Sequence, residues 1–230
     1  NAPETVLSAS IQESIQSESV SSLRELLDKL GVSIQTVPRV ALSRMVKNQN
    51  HQGILLEVQK KTKKTEHDLD DILAQNQDAN PLYLILDSIQ DPHNLGACIR
   101  TADAVGVTAV IIPNDRAANI NETVRKVASG AVENVVVVNV VNLVRAIKKI
   151  KESGVWVVGT TGDAEQSIYS LDLKIPTAIV MGGEGKGMRD SVQKECDYVA
   201  SLPINGQVES LNVSVAAGVV LYEVVRQRRT

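Results

Sequence analysis

From Pro81 onward the chain alternates short, wholly apolar runs with stretches of helical period, and this alternation constrains the fold more than any other feature. Leu82–Asp87 (LYLILD) has no polar side until its last residue. A strand of that kind must be buried on both faces, which requires a parallel sheet covered by helices. Further strands are predicted at Val107–Ile112, Val135–Val140, Val155–Thr160, Thr177–Met181 and Tyr198–Leu202. Between them the spacing predicts helices over Asn94–Val105, Asn121–Ser129, Leu143–Ser153, Met188–Cys196 and Asn212–Arg226, with Gly154 closing the third. Parallel sheets bind ligands beyond the carboxyl ends of their strands. The loops predicted at those ends are Ser88–His93, Gly182–Gly187 and Pro203–Leu211, the three chemically unusual segments of the chain.

The part before Pro81 reads differently. Residues 1–20 are rich in Ser, Glu and Gln and are expected to be a loosely ordered lead-in. Leu23, Leu26, Leu27 and Leu30 then mark one helix face, with Ser19 or Ser21 as cap and Gly31 as stop. Val32–Val37 alternates as a strand, Val40–Val46 suits a short helix, and the turn Asn50–Gly53 leads into a strand at Ile54–Val58. A small α/β domain at 1–58 follows from this. The basic run QKKTKKT and the Asp- and Asn-rich stretch after it, residues 59–80, are expected to form a linker to a large domain at 81–230.

Phe is absent and aromatics make up 2% of the chain, so the core must be built from Val, Ile, Leu and Ala. No apolar run is long enough to cross a bilayer and no signal peptide is visible. The two cysteines, Cys98 and Cys196, lack metal-ligand spacing and are expected to be buried free thiols, in keeping with a cytoplasmic location. A net charge of −3 argues against a uniformly basic nucleic-acid binder and leaves room for a local basic patch.

The loop Gly182-Gly183-Glu184-Gly185-Lys186-Gly187 has four glycines in six residues after a buried strand, which permits close backbone approach to a ligand. It has neither Walker A nor GxGxxG spacing, which argues against an ordinary nucleotide-binding enzyme. In Asp91–Arg100, Asn94 is placed to cap a helix, and Arg100 lies one and a half turns further on. Arg100 suits either a salt bridge to Asp103 or Asp87 or a functional role. Ser210 and Asn212 precede a helix whose first turns are small (Val213, Ser214, Val215, Ala216, Ala217, Gly218), so another backbone can come close. Asn212 serves either as a cap for that helix or as part of a ligand site. His51, His67 and His93 have no partner spacing that points to a metal. Lys60, Lys61, Lys63, Lys64, Arg116, Arg125 and Lys126 suit either solvated positions or sequence-independent phosphate contacts.

The three segments DPHNLGACIRTADAVG (Asp91–Gly106), IVMGGEGKGM (Ile179–Met188) and LPINGQVESLNVSVAAGVVLYEVVRQR (Leu202–Arg228), in this order, resemble the motifs of the SpoU/TrmH family of RNA ribose 2′-O-methyltransferases in the SPOUT superfamily. The preceding segment, with VSIQ and NHQGILLEV, is similar to the end of an RNA-binding domain of ribosomal-protein L30e type, whose opening strand and helix are not expected among these residues. The resemblance implies an α/β fold with a C-terminal trefoil knot, an arrangement that topology rules would otherwise reject. It also implies S-adenosylmethionine as methyl donor, held by Gly182, Gly185, Leu202, Ile204 and Leu211, with no metal. A homodimer with its site near the subunit interface is implied as well.

The reaction that the resemblance implies is methyl transfer from a sulfonium to a ribose hydroxyl, that of a guanosine, in large-subunit 23S rRNA. In the family's scheme Arg100 is base or alkoxide stabiliser, Asn94 supports it, and Glu184, Ser210 and Asn212 orient ribose, phosphate and Arg100. A guanidinium has a pKa above about 12 and hardly yields its proton, so an electrostatic clamp on the developing oxyanion is the better role. The alternatives are a tRNA ribose 2′-O-methyltransferase, or a non-catalytic RNA-binding module of ribosome assembly that keeps the fold without the activity.

Overall fold

The computed structural model describes residues 5–15, 17–47, 50–59, 63–185 and 187–229. The chain divides into two units, Asn1–Thr62 and Lys63–Thr230. Lys60 and Lys61 of the basic run and Lys186 of the glycine loop lie outside the described residues.

The first unit is a three-stranded sheet of order β2-β1-β3 with two helices. Its central strand is β1 (Val6–Gln12), parallel to β2 (Ser33–Val37) and antiparallel to β3 (Ile54–Val58). This corrects the expectation that residues 1–20 form a loose lead-in. The alternation Ser8-Ala9-Ser10-Ile11 buries only Ala9 and Ile11, so small and hydroxylated residues dilute the apolar signal of a central strand. Helix α1 (Glu18–Lys29) begins after Ser17, which makes no side-chain cap bond, while Ser19 and Ser21 lie within the helix. It stops as expected at Gly31, with φ +69°. Helix α2 is Arg39–Met45, and with α1 it covers a small core of Ala9, Ile11, Val20, Leu27 and Leu42.

The second unit is a seven-stranded sheet whose strand pairs are all parallel, as the apolar runs dictate. Its strands are β4 (Lys64–Thr65), β5 (Leu82–Asp87), β6 (Ala109–Pro113), β7 (Val137–Val140), β8 (Trp156–Thr160), β9 (Thr177–Gly182) and β10 (Tyr198–Ala200), in the order β10-β8-β9-β5-β6-β7-β4. Central β5 alternates perfectly between two cores. Leu82, Leu84 and Leu86 join α4 (Pro92–Val105), α5 (Glu122–Ala128) and α8 (Val213–Arg229) on one face. Tyr83 and Ile85 join α3 (Glu66–Gln75), α6 (Leu143–Glu152) and α7 (Asp190–Gln193) on the other.

Much of the segment expected to be a linker belongs to this second unit. Lys64–Thr65 pairs with β7, and α3 buries Leu69 and Leu73. The helix opens with a capping box in which the Thr65 hydroxyl and backbone N–H both engage Asp68. Its outer acidic residues bind α6, Glu66 to Arg145 and Asp70 to Lys149 (2.7 Å). With only one apolar stripe to offer, such a helix is easily taken for a polar connector. Other boundaries move as well: α7 is a single turn rather than Met188–Cys196, β10 ends at Ala200 rather than Leu202, β6 begins at Ala109 rather than Val107, and β7 begins at Val137 rather than Val135.

Helix α8 is fixed at its far end by Arg228, whose guanidinium donates to the carbonyls of Leu173 (3.2 Å), Asn80 (2.8 Å), Pro81 (3.2 Å) and Ile175 (2.7 Å). Gln227 beside it accepts from Leu173 N (2.9 Å) and donates to Leu171 O (3.1 Å). Burial pushes the Arg228 pKa below its ordinary value. Both thiols are pushed up to about 12 by burial, Cys98 fully and Cys196 partly enclosed, so neither is a reactive nucleophile.

Among the described residues, Tyr83 Oη is the buried side-chain polar atom with no hydrogen-bond partner. Leaving such a hydroxyl unpaired costs about 1–3 kcal/mol. Tyr83→Phe is therefore expected to leave the thermal unfolding midpoint unchanged or to raise it; a clear drop would mean that the hydroxyl has a partner after all.

Candidate active site

The carboxyl ends of β5, β9 and β8 open onto one edge of the sheet, and the site is assembled there. Strand β5 ends at Asp87, a fully buried carboxylate. It accepts hydrogen bonds from Ser88 Oγ (3.0 Å), Arg189 N (2.9 Å) and Arg189 Nε (2.7 Å). Asp87 was a candidate partner for Arg100, yet its charge is met by Arg189, and Asp103 instead accepts from Asn134 (3.2 Å). The ion pair ties the far end of the glycine loop to the central strand.

Between these ties the loop is backbone against backbone. A Cβ on Gly182 would lie 2.2 Å from Met188 N, and one on Gly183 would lie 2.5 Å from Ser88 O. No other residue fits at either position without moving main chain. Glu184 is thereby held out over the start of α4.

The cap of α4 is Asp91, whose side chain accepts from His93 N (2.9 Å), with Pro92 in the first turn. Asn94, expected as the cap, lies inside the helix and is almost wholly buried because it faces the other segments. Asn94 Nδ2 donates to Glu184 Oε1 (2.7 Å). Asn212 Nδ2 donates both to Glu184 Oε1 (2.9 Å) and to Asn94 Oδ1 (3.0 Å). Asn212 Oδ1 in turn accepts from Ser214 N (2.9 Å) and Ser214 Oγ (2.6 Å), so Asn212 both caps α8 and joins the site. Three segments up to 118 residues apart converge on one carboxylate oxygen.

Beside this trio lies a cavity of about 570 Å³. Gly182, Gly185, Leu202, Ile204 and Leu211 all line it, together with Glu184, Ser210 and Asn212. Sequence reasoning missed Thr160, Thr161, Gly162 and Asp163, which also line it. They follow β8, and the irregular stretch after that strand could have been recognised as another loop at the carboxyl edge.

Arg100 does not join the trio. It is exposed on α4, about 9 Å further along the helix axis than Asn94 and on another side of it. Among the described residues its side chain makes no hydrogen bond or ion pair, and it does not line the cavity. Also among the described residues, no group of three or more His, Cys, Asp or Glu side chains is arranged to hold a metal ion, and no helix is long and apolar enough to cross a membrane.

A parallel sheet with a cavity at its carboxyl edge, walled by glycine backbone and apolar side chains and bordered by converging amides and a carboxylate, defines an α/β enzyme that holds a small molecule beside a polar reaction centre. The chain belongs to the SpoU rRNA methylase family, which it matches over residues 81–222; residues 1–64 match the family described as RNA 2′-O ribose methyltransferase substrate binding. It is 47% identical to the 23S rRNA (guanosine-2′-O-)-methyltransferase RlmB of Vibrio parahaemolyticus, over 98% of this chain and 91% of that protein. It is 44% identical to the protein of the same name from Haemophilus influenzae, over 99% and 92%. The fold matches the SpoU methyltransferase AviRb of Streptomyces viridochromogenes, crystallised with the cofactor AdoMet, with a TM-score of 0.79 at 23% identity over 97% of this chain and 83% of that one.

Because Asp87 receives three donors while buried, removing its charge leaves a guanidinium nitrogen and an N–H poorly met. Asp87→Asn is expected to destabilise the protein by about 3 kcal/mol, read by denaturant unfolding. An unchanged midpoint would show that the loop is anchored elsewhere.

Proposed function

We propose that this protein is a cytoplasmic enzyme that transfers a methyl group from S-adenosylmethionine to the 2′-hydroxyl of a guanosine ribose in 23S rRNA. The observation that carries this reading is the meeting of Asn94, Glu184 and Asn212 on the rim of the cavity. The relatives named for that activity extend over nearly the whole chain, and the match of residues 1–64 to a substrate-binding family supports an RNA substrate. The cavity suits the cofactor chemically. Leu202, Ile204 and Leu211 offer apolar walls for a purine, Gly182 and Gly185 offer uncovered backbone, and Asp163 and Glu209 offer negative charge to a cation. When bound, the cofactor supplies an electrophilic methyl group.

The chain's own residues then have the task of presenting a weak nucleophile in line. Asn94 and Asn212 fix the Glu184 carboxylate by donating to one of its oxygens, which leaves the other to accept a hydrogen bond from the ribose hydroxyl, whose proton passes to water as the O–CH3 bond forms and the S–CH3 bond breaks. Ser210, exposed on the cavity rim, orients the ribose and its phosphate. Arg100 acts as a clamp on the developing oxyanion and neighbouring phosphate, since a guanidinium at ordinary pH has no proton vacancy with which to act as a base. The trefoil path implied by the family belongs to this reading; the bonds from Asn212 to both earlier segments support it.

A homodimer also belongs to it. Val215, Val219 and Tyr222 form an exposed apolar stripe on α8. A Cβ built on Gly218 would lie 4.0 Å from Thr101 Cγ2 of α4, so Ala97, Thr101 and Ala104 lie beside this stripe. A stripe of this kind at helical spacing suits a second copy of the same surface. Exposed Arg100 borders this face, so pairing brings it to a subunit boundary and completes the site there.

Asn212→Ala is expected to lower methyl transfer to unmethylated 23S rRNA by about 10²-fold while S-adenosylmethionine affinity, measured by calorimetry, stays within a few-fold. Wild-type activity in this variant would overturn the site, and wild-type protein that methylates purified tRNA in preference to 23S rRNA would overturn the substrate. For Arg100→Lys the clamp predicts a lower rate with an unchanged pH–rate profile; a displaced limb would assign proton transfer to this residue. Val219→Glu is expected to yield monomers in sedimentation analysis, whereas an unaltered mass would move the interface elsewhere.

A further inference from the structure

The proposed reaction leaves open how a net-negative protein keeps a polyanion in register at its catalytic edge. The described loops on that edge are dominated by acids, with Asp91, Asp115, Asp163, Glu165 and Glu209 all exposed. Among the described residues these loops hold two arginines. Arg189 is committed to Asp87, which leaves Arg116. Elsewhere in the same unit Arg125 is bound to Glu133, Arg226 to Glu223, and Arg228 to main-chain carbonyls.

Arg116 lies in the loop between β6 and α5, immediately beside the motif that carries Asn94. Ala118 N donates to Ile89 O (2.8 Å), and the neighbouring Ser88 carbonyl is the one against which Gly183 packs. A chain of main-chain contacts therefore links Arg116 to the loop that holds Glu184. Arg116 is exposed and, among the described residues, makes no hydrogen bond or ion pair. Its φ is +60°, a conformation that glycine adopts without strain and arginine does not. A long cationic side chain is thus held at a left-handed position, and among the described residues of these loops it is the arginine that no carboxylate neutralises.

We propose that Arg116 is a substrate-positioning residue that binds an RNA phosphate flanking the target nucleotide, while the exposed acids around it disfavour other placements of the backbone along those loops. This rests on the RNA methyltransferase reading above. Because the contact is to phosphate, it supplies affinity and register without base specificity.

The test compares wild type, Arg116→Gly and Arg116→Lys in the full chain. Binding to unmethylated 23S rRNA is measured across salt concentrations without cofactor, alongside kcat, the KM for RNA, the affinity for S-adenosylmethionine and the melting temperature. Arg116→Gly relieves the strained backbone, so its melting temperature is expected to stay the same or rise. Its Kd and KM for RNA are expected to increase about tenfold, and the slope of log affinity against log salt to fall by about 1. Its kcat and its affinity for S-adenosylmethionine stay at wild-type values, and Arg116→Lys retains the wild-type salt slope. Wild-type RNA affinity and salt slope in Arg116→Gly would overturn the proposal while leaving the methyltransferase reading intact. A wild-type protein that neither binds nor methylates 23S rRNA would overturn both.

Discussion

A single carboxylate oxygen, Glu184 Oε1, receives the amides of Asn94 and Asn212, and the rest of the catalytic unit is arranged so that this can happen. Each partner comes from a different loop at the carboxyl edge, and each is made rigid by its own local device. Asn94 is carried in the first turn of a helix capped by Asp91; Glu184 rides on a glycine loop pressed against Ser88; Asn212 is locked by the Ser214 backbone and hydroxyl. Amides and a carboxylate paired in this way leave few free conformations, so the cavity beside them has a defined polar rim before any ligand arrives.

The parallel sheet makes this arrangement possible because all its carboxyl ends point the same way. Its demands are met at both ends of α8. Asn212 ties the start of that helix to the catalytic edge, and Arg228 ties its end to four carbonyls from Asn80, Pro81, Leu173 and Ile175. Buried carbonyls left without donors would be costly. One guanidinium therefore satisfies several strand-entry segments and sets the height of the helix at the same time.

Most of the catalytic unit was legible in the sequence because its strands are apolar on both sides. LYLILD could be nothing but a central strand, and β5 has those limits. Polar or small elements were harder to see. The strand VLSASIQ hides its burial in Ala9 and Ile11, and the helix over Glu66–Gln75 shows the core only Leu69 and Leu73. The cavity residues carried over from the resemblance do line one cavity, whereas the wall formed by Thr160–Asp163 had no motif to announce it. Asp87 illustrates the remaining gap. Its charge partner is 102 residues away, a choice made by strand register and loop path rather than by local spacing.

The sequence alone determined the parallel architecture, the loops that matter and the residue types available for methyl-transfer chemistry, since hydrophobic period and motif order are local properties of the chain. Tertiary structure alone decided which of those residues touch. It turned Asn94 from a helix cap into a ligand of Glu184, gave Asp87 to Arg189, and left Arg100 and Arg116 exposed and, among the described residues, unpaired. Such pairings depend on distances between segments that only the closed sheet fixes.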